Sequence, residues 1–456
     1  MKISQLLIFV GFLLLCSCNS EIMEVTNEQP RFASINDSTT ISKLEYKDKL
    51  QGFWLGQCIA NWTGLTTEMD KIGDIGDLKS GEFYTRDNWG KADLPNVWGE
   101  YKNTDITSTI DFILKSPGQL WGADDDTDIE YIYQELIYKH KTAILSPTQI
   151  REGWLDHIKQ GEENYLWVSN QQAFDLMVKG VLPPNTASPE SNPYFDMIDA
   201  QLSTEIFGLY SPTRPDFALE MSSLPIRTVA REEAVLISEF YVEMHALASC
   251  VNKELSKEEQ LNGIAELARI KLPEYSTAAK MYDFVWAKFQ SGIPWEGARD
   301  SVYVRYQVNQ KDGYTITSRK LHCNGCFAAG INFAASLVSL FYGKGDIKET
   351  IKIGTLVGWD SDNPTATWGG LLGFMYGKVG VEAAFNQKLS SQYNIHRTRI
   401  NFPNDGIDDF ENMSNKGLSI IDDVVVNHLN GRLDSVSNSW VIPAANTKTD
   451  VITAQW

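Results

Sequence analysis

Hydrophobic and polar positions recur mostly with a helical period. Over Asp128–His140 the apolar groups are Ile129, Ile132, Tyr133, Leu136 and Ile137. Their spacing of i, i+3, i+4, i+7 and i+8 predicts one buried helix face. Glu232–Val251 repeats the habit through Val235, Leu236, Phe240, Met244 and Leu247. Ser256–Leu272 opens with Ser-Lys-Glu-Glu, a capping-box pattern, and stops at Pro273. Cys326–Gly343 carries no charge. Its serines, Asn332 and small residues make it only mildly apolar, so it predicts a central helix buried on all sides rather than a membrane span.

One stretch departs from this period. Val302, Val304, Tyr306 and Val308 alternate with Tyr303, Arg305 and Gln307, and Asp312-Gly313 offers a turn before Tyr314–Thr317. Ser301–Lys320 therefore predicts a β-hairpin. Loops are marked by Pro183-Pro184, Pro189, Pro193 and Pro212–Pro215. No repeat or linker divides the chain. The expectation is all-α, one large helical domain over residues 45–440 with one small β-hairpin.

The ends read differently. Lys2 followed by Leu6–Leu15 is a charged start and an apolar run too short to span a bilayer. Leu15-Cys16-Ser17-Cys18 resembles a bacterial lipoprotein box, with the small Ser17 before Cys18. That predicts a signal peptide over 1–17, lipidation at Cys18, and a polar tether over 18–44. The mature protein would be exported and held to a bacterial membrane by lipid, the outer membrane by its Asn19. Residues 441–456 read as a tail.

Composition narrows the partners. Of 456 residues, 43% are hydrophobic, enough for a large core, and the formal net charge is −19. Phosphate backbones repel such a chain, so nucleic acid is set aside. Four cysteines lie beyond the leader: Cys58, Cys250, Cys323 and Cys326. Cys323 and Cys326 form a C-x-x-C, half of a zinc site with nothing to complete it, and so predict buried helix-start cysteines or a local disulfide.

Candidate chemistry lies in three stretches. Asp124-Asp125-Asp126-Thr127-Asp128 stands just before a predicted helix. Helix capping uses one or two such residues. An EF-hand loop would need a sharp turn where Ile129 stands. Far downstream, Asp360-Ser361-Asp362-Asn363 precedes Pro364, which suits a first helical turn. Brought together, the two clusters would cage one or two divalent cations in hard oxygen ligands. The third stretch, Lys49–Glu68, sets Gly52, Gly56, Ala60 and Gly64 four apart, a smooth face for close helix packing.

Taken together these stretches resemble the ADP-ribosylglycohydrolase family. Gly52, Gly56, Gly64 and Glu68 match its opening segment, and Asp124-Asp125-Asp126-Thr127 its T-D-D-T. Gly358-Trp359-Asp360-Ser361-Asp362-Asn363 matches its G-G-D-x-D-T. Ile198-Asp199-Ala200-Gln201 through Gly208, with Pro212 and Pro215, is also similar to members. The resemblance implies an all-α fold and a binuclear site for two ions, Mg2+ or Mn2+. Asp124, Asp125 and Asp126 would hold one ion, Asp360 and Asn363 the other, and Asp362 would bridge. The implied reaction is hydrolysis of a C1 glycosidic bond in an ADP-ribosyl or related furanose-like conjugate, small or protein-linked. Asp126 would serve as general base, and Glu68 would contact the substrate or its leaving group.

The departures are specific. Asp124 and Asn363 stand where the family has Thr, Asn61 where it has Asp, and Trp359 where it has Gly. Asn61 and Trp359 are expected at the substrate, the indole stacking on it. No N-G-x-x-M-R-like segment for a diphosphate is present. A surface lipoprotein that binds glycans through some of its thirteen tryptophans, or an inactive member of the fold, is the competing expectation.

Overall fold

The computed structural model describes residues 38–74, 78–99, 106–161, 163–315, 323 and 325–445. The leader over 1–17, Cys18, most of the tether and residues 446–456 lie outside these. Among the described residues there are fourteen α-helices and six short strands. None of the helices is long and apolar enough to cross a membrane.

Two long antiparallel helices form the centre: Lys43–Gly64 and Asp362–Ala384. The glycine stripe explains their closeness. A Cβ on Gly56 would stand 2.2 Å from the carbonyl oxygen of Gly369, and one on Gly52 equally close to that of Gly373. Only bare backbone permits this approach. At the far end a Cβ on Gly64 would meet the Asp362 Cα at 2.4 Å. The stripe thus fixes where the second acidic cluster begins relative to the end of the first helix.

The predicted helices form. The first periodic stretch is Asp125–His140, the second Glu233–Leu247, and the third Lys257–Lys271 with Ser256 capping the N–H of Glu259. Ala329–Gly343 is the central helix, buried along nearly its whole length. Cys323 and Cys326 are joined as a disulfide just before it.

Three expectations are corrected. Ser301–Lys320 is no hairpin: helix Trp295–Val302 runs on into a wider π-helical turn, Tyr303–Val308. Val302 and Tyr306 are buried, whereas Val304 and Val308 are 49% and 47% exposed. The operative spacing is four rather than two, so the alternation was a coincidence of β-branched residues. Residues 316–320 lie outside the described residues. The tether ends early, because Ser38–Ser42 is a strand and Ser42 caps the first helix. The tail begins late, because Ser439–Pro443 pairs antiparallel with that strand and with Arg432–Asp434. A second small sheet sets Leu120–Gly122 parallel to Gln392–Asn394, which pairs antiparallel with Ile407–Asp409.

Candidate metal centre

Local backbone brings the carboxylates together. Strand Leu120–Gly122 delivers the chain to Asp124, which caps helix Asp125–His140, and Thr127 Oγ1 accepts the Asp124 N–H. On the other side the loop before helix Asp362–Ala384 is pinned to the segment after Glu68. The Trp359 N–H donates to the Lys71 carbonyl, and the Met69 N–H to the Trp359 carbonyl. Gly358 makes the turn at a φ of 103°, where a Cβ would meet the Lys71 carbonyl oxygen at 2.7 Å. Ser361 Oγ donates to the Gly64 carbonyl, closing the loop onto the first helix.

Two trios of carboxylates result. Oxygens of Glu68, Asp360 and Asp362 lie within 4.8 Å of one another, as do those of Asp124, Asp125 and Asp126. One pocket is lined by Glu68, Asp125, Asp126, Asp360 and Asp362 together. Clusters separated by more than two hundred residues thus share a single cavity.

Electrostatics suit it to a cation. Burial, then repulsion from neighbouring carboxylates, raises Asp125, Asp126, Asp360 and Asp362 well above the usual carboxylate range. The same causes push Glu68 up to about 8. Asp362 Oδ1 is buried with no hydrogen-bond partner in the described structure. A crowd of hard oxygens that resists ionisation, with an orphaned acceptor among them, fits a divalent ion.

The expected site residues fall into two groups. Glu68, Asp125, Asp126, Asp360 and Asp362 line the pocket. Asp124 stands behind them, with Oδ1 3.0 Å from Arg397 Nη1 and Oδ2 3.1 Å from Asn61 Nδ2. Asn61, expected at the substrate, is buried and spends its amide on Asp124 and on Asp126 Oδ2 at 3.1 Å. Asn363, expected as a ligand through its amide oxygen, turns Nδ2 to Asp126 Oδ1 at 2.8 Å. Its oxygen accepts from Gln201 Nε2 at 3.0 Å. Trp359, expected to stack on the ligand, is fully buried. Its indole N–H donates to Gln307 at 2.7 Å and its ring lies on Phe83, because the backbone turn at Gly358 sends the side chain away from the cavity.

Sequence reasoning missed Arg397 and Arg399. Arg399 forms a buried ion pair with Asp128 at 2.8 Å, and Thr398 Oγ1 donates to the same carboxylate. Both arginines follow strand Gln392–Asn394, whose parallel pairing with Leu120–Gly122 lays them along the aspartate run. An R-x-R after a short strand carries no warning of this. Asp199 was read only as part of a motif. It too lines the pocket, and burial raises it to about 7.

The sequence model of the ADP-ribosylglycohydrolase family matches residues 42–410. A solved chain described as an "ADP-ribosylglycohydrolase-related protein complex" is similar at 13% identity, with 83% of this chain and 98% of that chain covered and a TM-score of 0.46. No curated protein matches the sequence.

Proposed function

This chain belongs to the ADP-ribosylglycohydrolase family and is a glycosyl hydrolase-like enzyme; from that premise we propose a metal-dependent hydrolase that cleaves the C1 glycosidic bond of a ribose- or furanose-like conjugate. One observation carries the reading: five carboxylates from three distant segments, Glu68, Asp125, Asp126, Asp360 and Asp362, line a single pocket. Glu68, Asp125, Asp126, Asp360 and Asp362 would hold two divalent cations, Mg2+ or Mn2+. Bound there, such ions orient sugar hydroxyls and lower the pKa of a water.

The remaining chemistry belongs to the chain. Asp126 takes the proton of the water that attacks C1 as the bond from C1 to the leaving oxygen or nitrogen breaks, and the leaving atom takes a proton from the carboxyl of Glu68. Its carboxylate is aimed by two amides, Asn61 Nδ2 on one oxygen and Asn363 Nδ2 on the other. Glu68, only partly buried at the pocket wall, is placed to contact the leaving group. Because Asn61 and Asn363 are neutral, they orient Asp126 without cancelling the charge a cation needs.

We place the enzyme outside the cytoplasm, lipid-anchored through Cys18; the run Leu6–Leu15 followed by Leu15-Cys16-Ser17-Cys18 supports this. The direct test is turnover of ribofuranosides and ADP-ribosyl conjugates with Mg2+ or Mn2+. Asp126→Asn is expected to lower kcat by at least about a hundredfold while preserving the thermal transition. Full activity of that variant would remove Asp126 from the mechanism.

A further inference from the structure

Asp199 lines the same pocket but belongs to neither trio. Short backbone bonds set its place. Met197 bridges antiparallel to Ala328, and the Ile198 N–H donates to the Phe327 carbonyl at 2.9 Å. The turn Ile198–Ala200 then presents the carboxylate, and Ser203 Oγ holds that turn by donating to the Asp199 carbonyl at 3.0 Å. The residue is 2% exposed.

Half of this carboxylate has a structural task. Helix Val168–Val178 starts without a cap of its own, because Trp167, at the N-cap position, makes no side-chain cap bond. Asp199 supplies the cap from 29 residues away, Oδ1 accepting the Asn170 N–H at 2.7 Å. Capping uses one oxygen. Oδ2 is buried, and no group of the described structure donates to it. An unmatched buried acceptor is destabilising, so one retained on a pocket wall suits a donor that arrives with a ligand.

Hydrogen-bond chemistry narrows that donor. A guanidinium forks onto both oxygens of a carboxylate, and here one of them is committed to Asn170. An ammonium carries three donors. Apart from the carboxylates, the lining is Trp167, Val168, Ile198, Leu202 and Phe327, whose side chains offer no acceptor. A hydroxyl gives one hydrogen bond to one oxygen and brings no charge to be desolvated. We propose that Asp199 is a substrate-binding residue whose Oδ2 accepts a hydroxyl of the furanose held in this pocket. This deepens the hydrolase reading above and rests on it, and the test separates the two.

Asp199→Asn keeps an oxygen for the Asn170 N–H and puts an amide donor in place of Oδ2. The cap survives while the free acceptor is lost. Its melting temperature is expected to be no lower than that of wild type, with the same number of Mg2+ or Mn2+ ions bound by calorimetry. Turnover of para-nitrophenyl ribofuranoside, as both anomers, is compared with that of its 2-deoxy, 3-deoxy and 5-deoxy analogues at about pH 8, above the value of about 7 to which burial raises Asp199. The readout is the ratio of wild-type to variant kcat/KM, in which the intrinsic reactivity of each sugar cancels. On the parent glycoside the ratio is expected to be about thirtyfold, the size of one hydrogen bond to a charged group. For one analogue it should fall to about one, because the hydroxyl that Asp199 holds is gone, and for the other two it should stay as on the parent. Asp199→Ala, which loses cap and acceptor together, should melt lower and show the same pattern.

Equal ratios on all the glycosides, whether large or near one, overturn the contact and leave the hydrolase reading standing. Loss of an ion in Asp199→Asn makes the residue a cation ligand and also overturns it. If wild type cleaves none of the glycosides, saturation-transfer NMR of the same set reads binding without turnover. The same one-analogue pattern there keeps the Asp199 contact while the hydrolase reading falls, and absence of binding removes the contact.

Discussion

Asp124 shows how one residue's meaning depends on a partner far along the chain. By itself it is an added negative charge where the family has Thr. In the fold it is an ion pair with Arg397, 273 residues away, with the carboxylate buried and the guanidinium partly so. Breaking such a pair leaves an uncompensated charge. Arg397→Ala is therefore expected to destabilise the protein by about 3 kcal/mol in urea unfolding. Asp124→Thr added to it should recover most of that loss, since the orphaned charge is gone. A double variant no more stable than Arg397→Ala would show that the arginine acts through its packing on Trp62 instead. The carboxylates themselves were legible in the sequence because the aspartate run Asp124–Asp128 holds more than the one or two residues that helix capping uses. The roles of Asn61, Asn363 and Trp359 were not. An amide or an indole next to a ligand in sequence faces inward or away according to a backbone turn, here that of Gly358.

At the scale of elements, the small-residue stripe was readable and its consequence is concrete. Gly52, Gly56 and Gly64 set the backbone contact that ends with Asp362 against the first helix. Gly56→Ala puts a methyl group against the Gly369 carbonyl, a backbone atom that cannot swing aside, and should cost roughly 3 kcal/mol. The same variant should weaken cation binding, measured by calorimetry, because the Asp362 end of the pair is displaced from Glu68. Wild-type affinity in a destabilised variant would separate the stripe from the site. The stretch Ser301–Val308 imitates a strand for a related reason. Alternating β-branched and polar residues look like a strand until the core selects Val302 and Tyr306, and only tertiary packing makes that selection. The pairing of Ser38–Ser42 with Ser439–Pro443 joins the two ends of the domain, which no local pattern announces.

For the whole molecule, the acidic pocket ties stability to pH and to cations. A carboxyl raised in the fold, such as Glu68 at about 8, binds its proton more tightly folded than unfolded. The unfolded chain releases that proton near pH 4, so its deprotonation favours unfolding from there upward. Stability of the metal-free protein is thus fullest below about pH 4 as far as these groups are concerned, and is lost as pH rises towards 8. The buried His245 has the opposite sign. Burial lowers it to about 4, so its contribution is present above about pH 6.5 and is lost as pH falls towards 4. The metal-free melting temperature should therefore fall between pH 6.5 and 8, and saturating Mg2+ or Mn2+ should flatten that slope, as seen by calorimetric scans. An unchanged slope with the cation present would place the ions elsewhere.

Glu68, Asp125, Asp126, Asp360 and Asp362 line one pocket, which we propose is one cation site. It is tested most directly by titrating Mg2+ and Mn2+ into the metal-free soluble chain by isothermal calorimetry, with Asp360→Ala/Asp362→Ala as control. The account predicts about two ions per chain, absent or reduced to weak binding in the control. Heat changes no larger than dilution, or binding that the control retains in full, would contradict it.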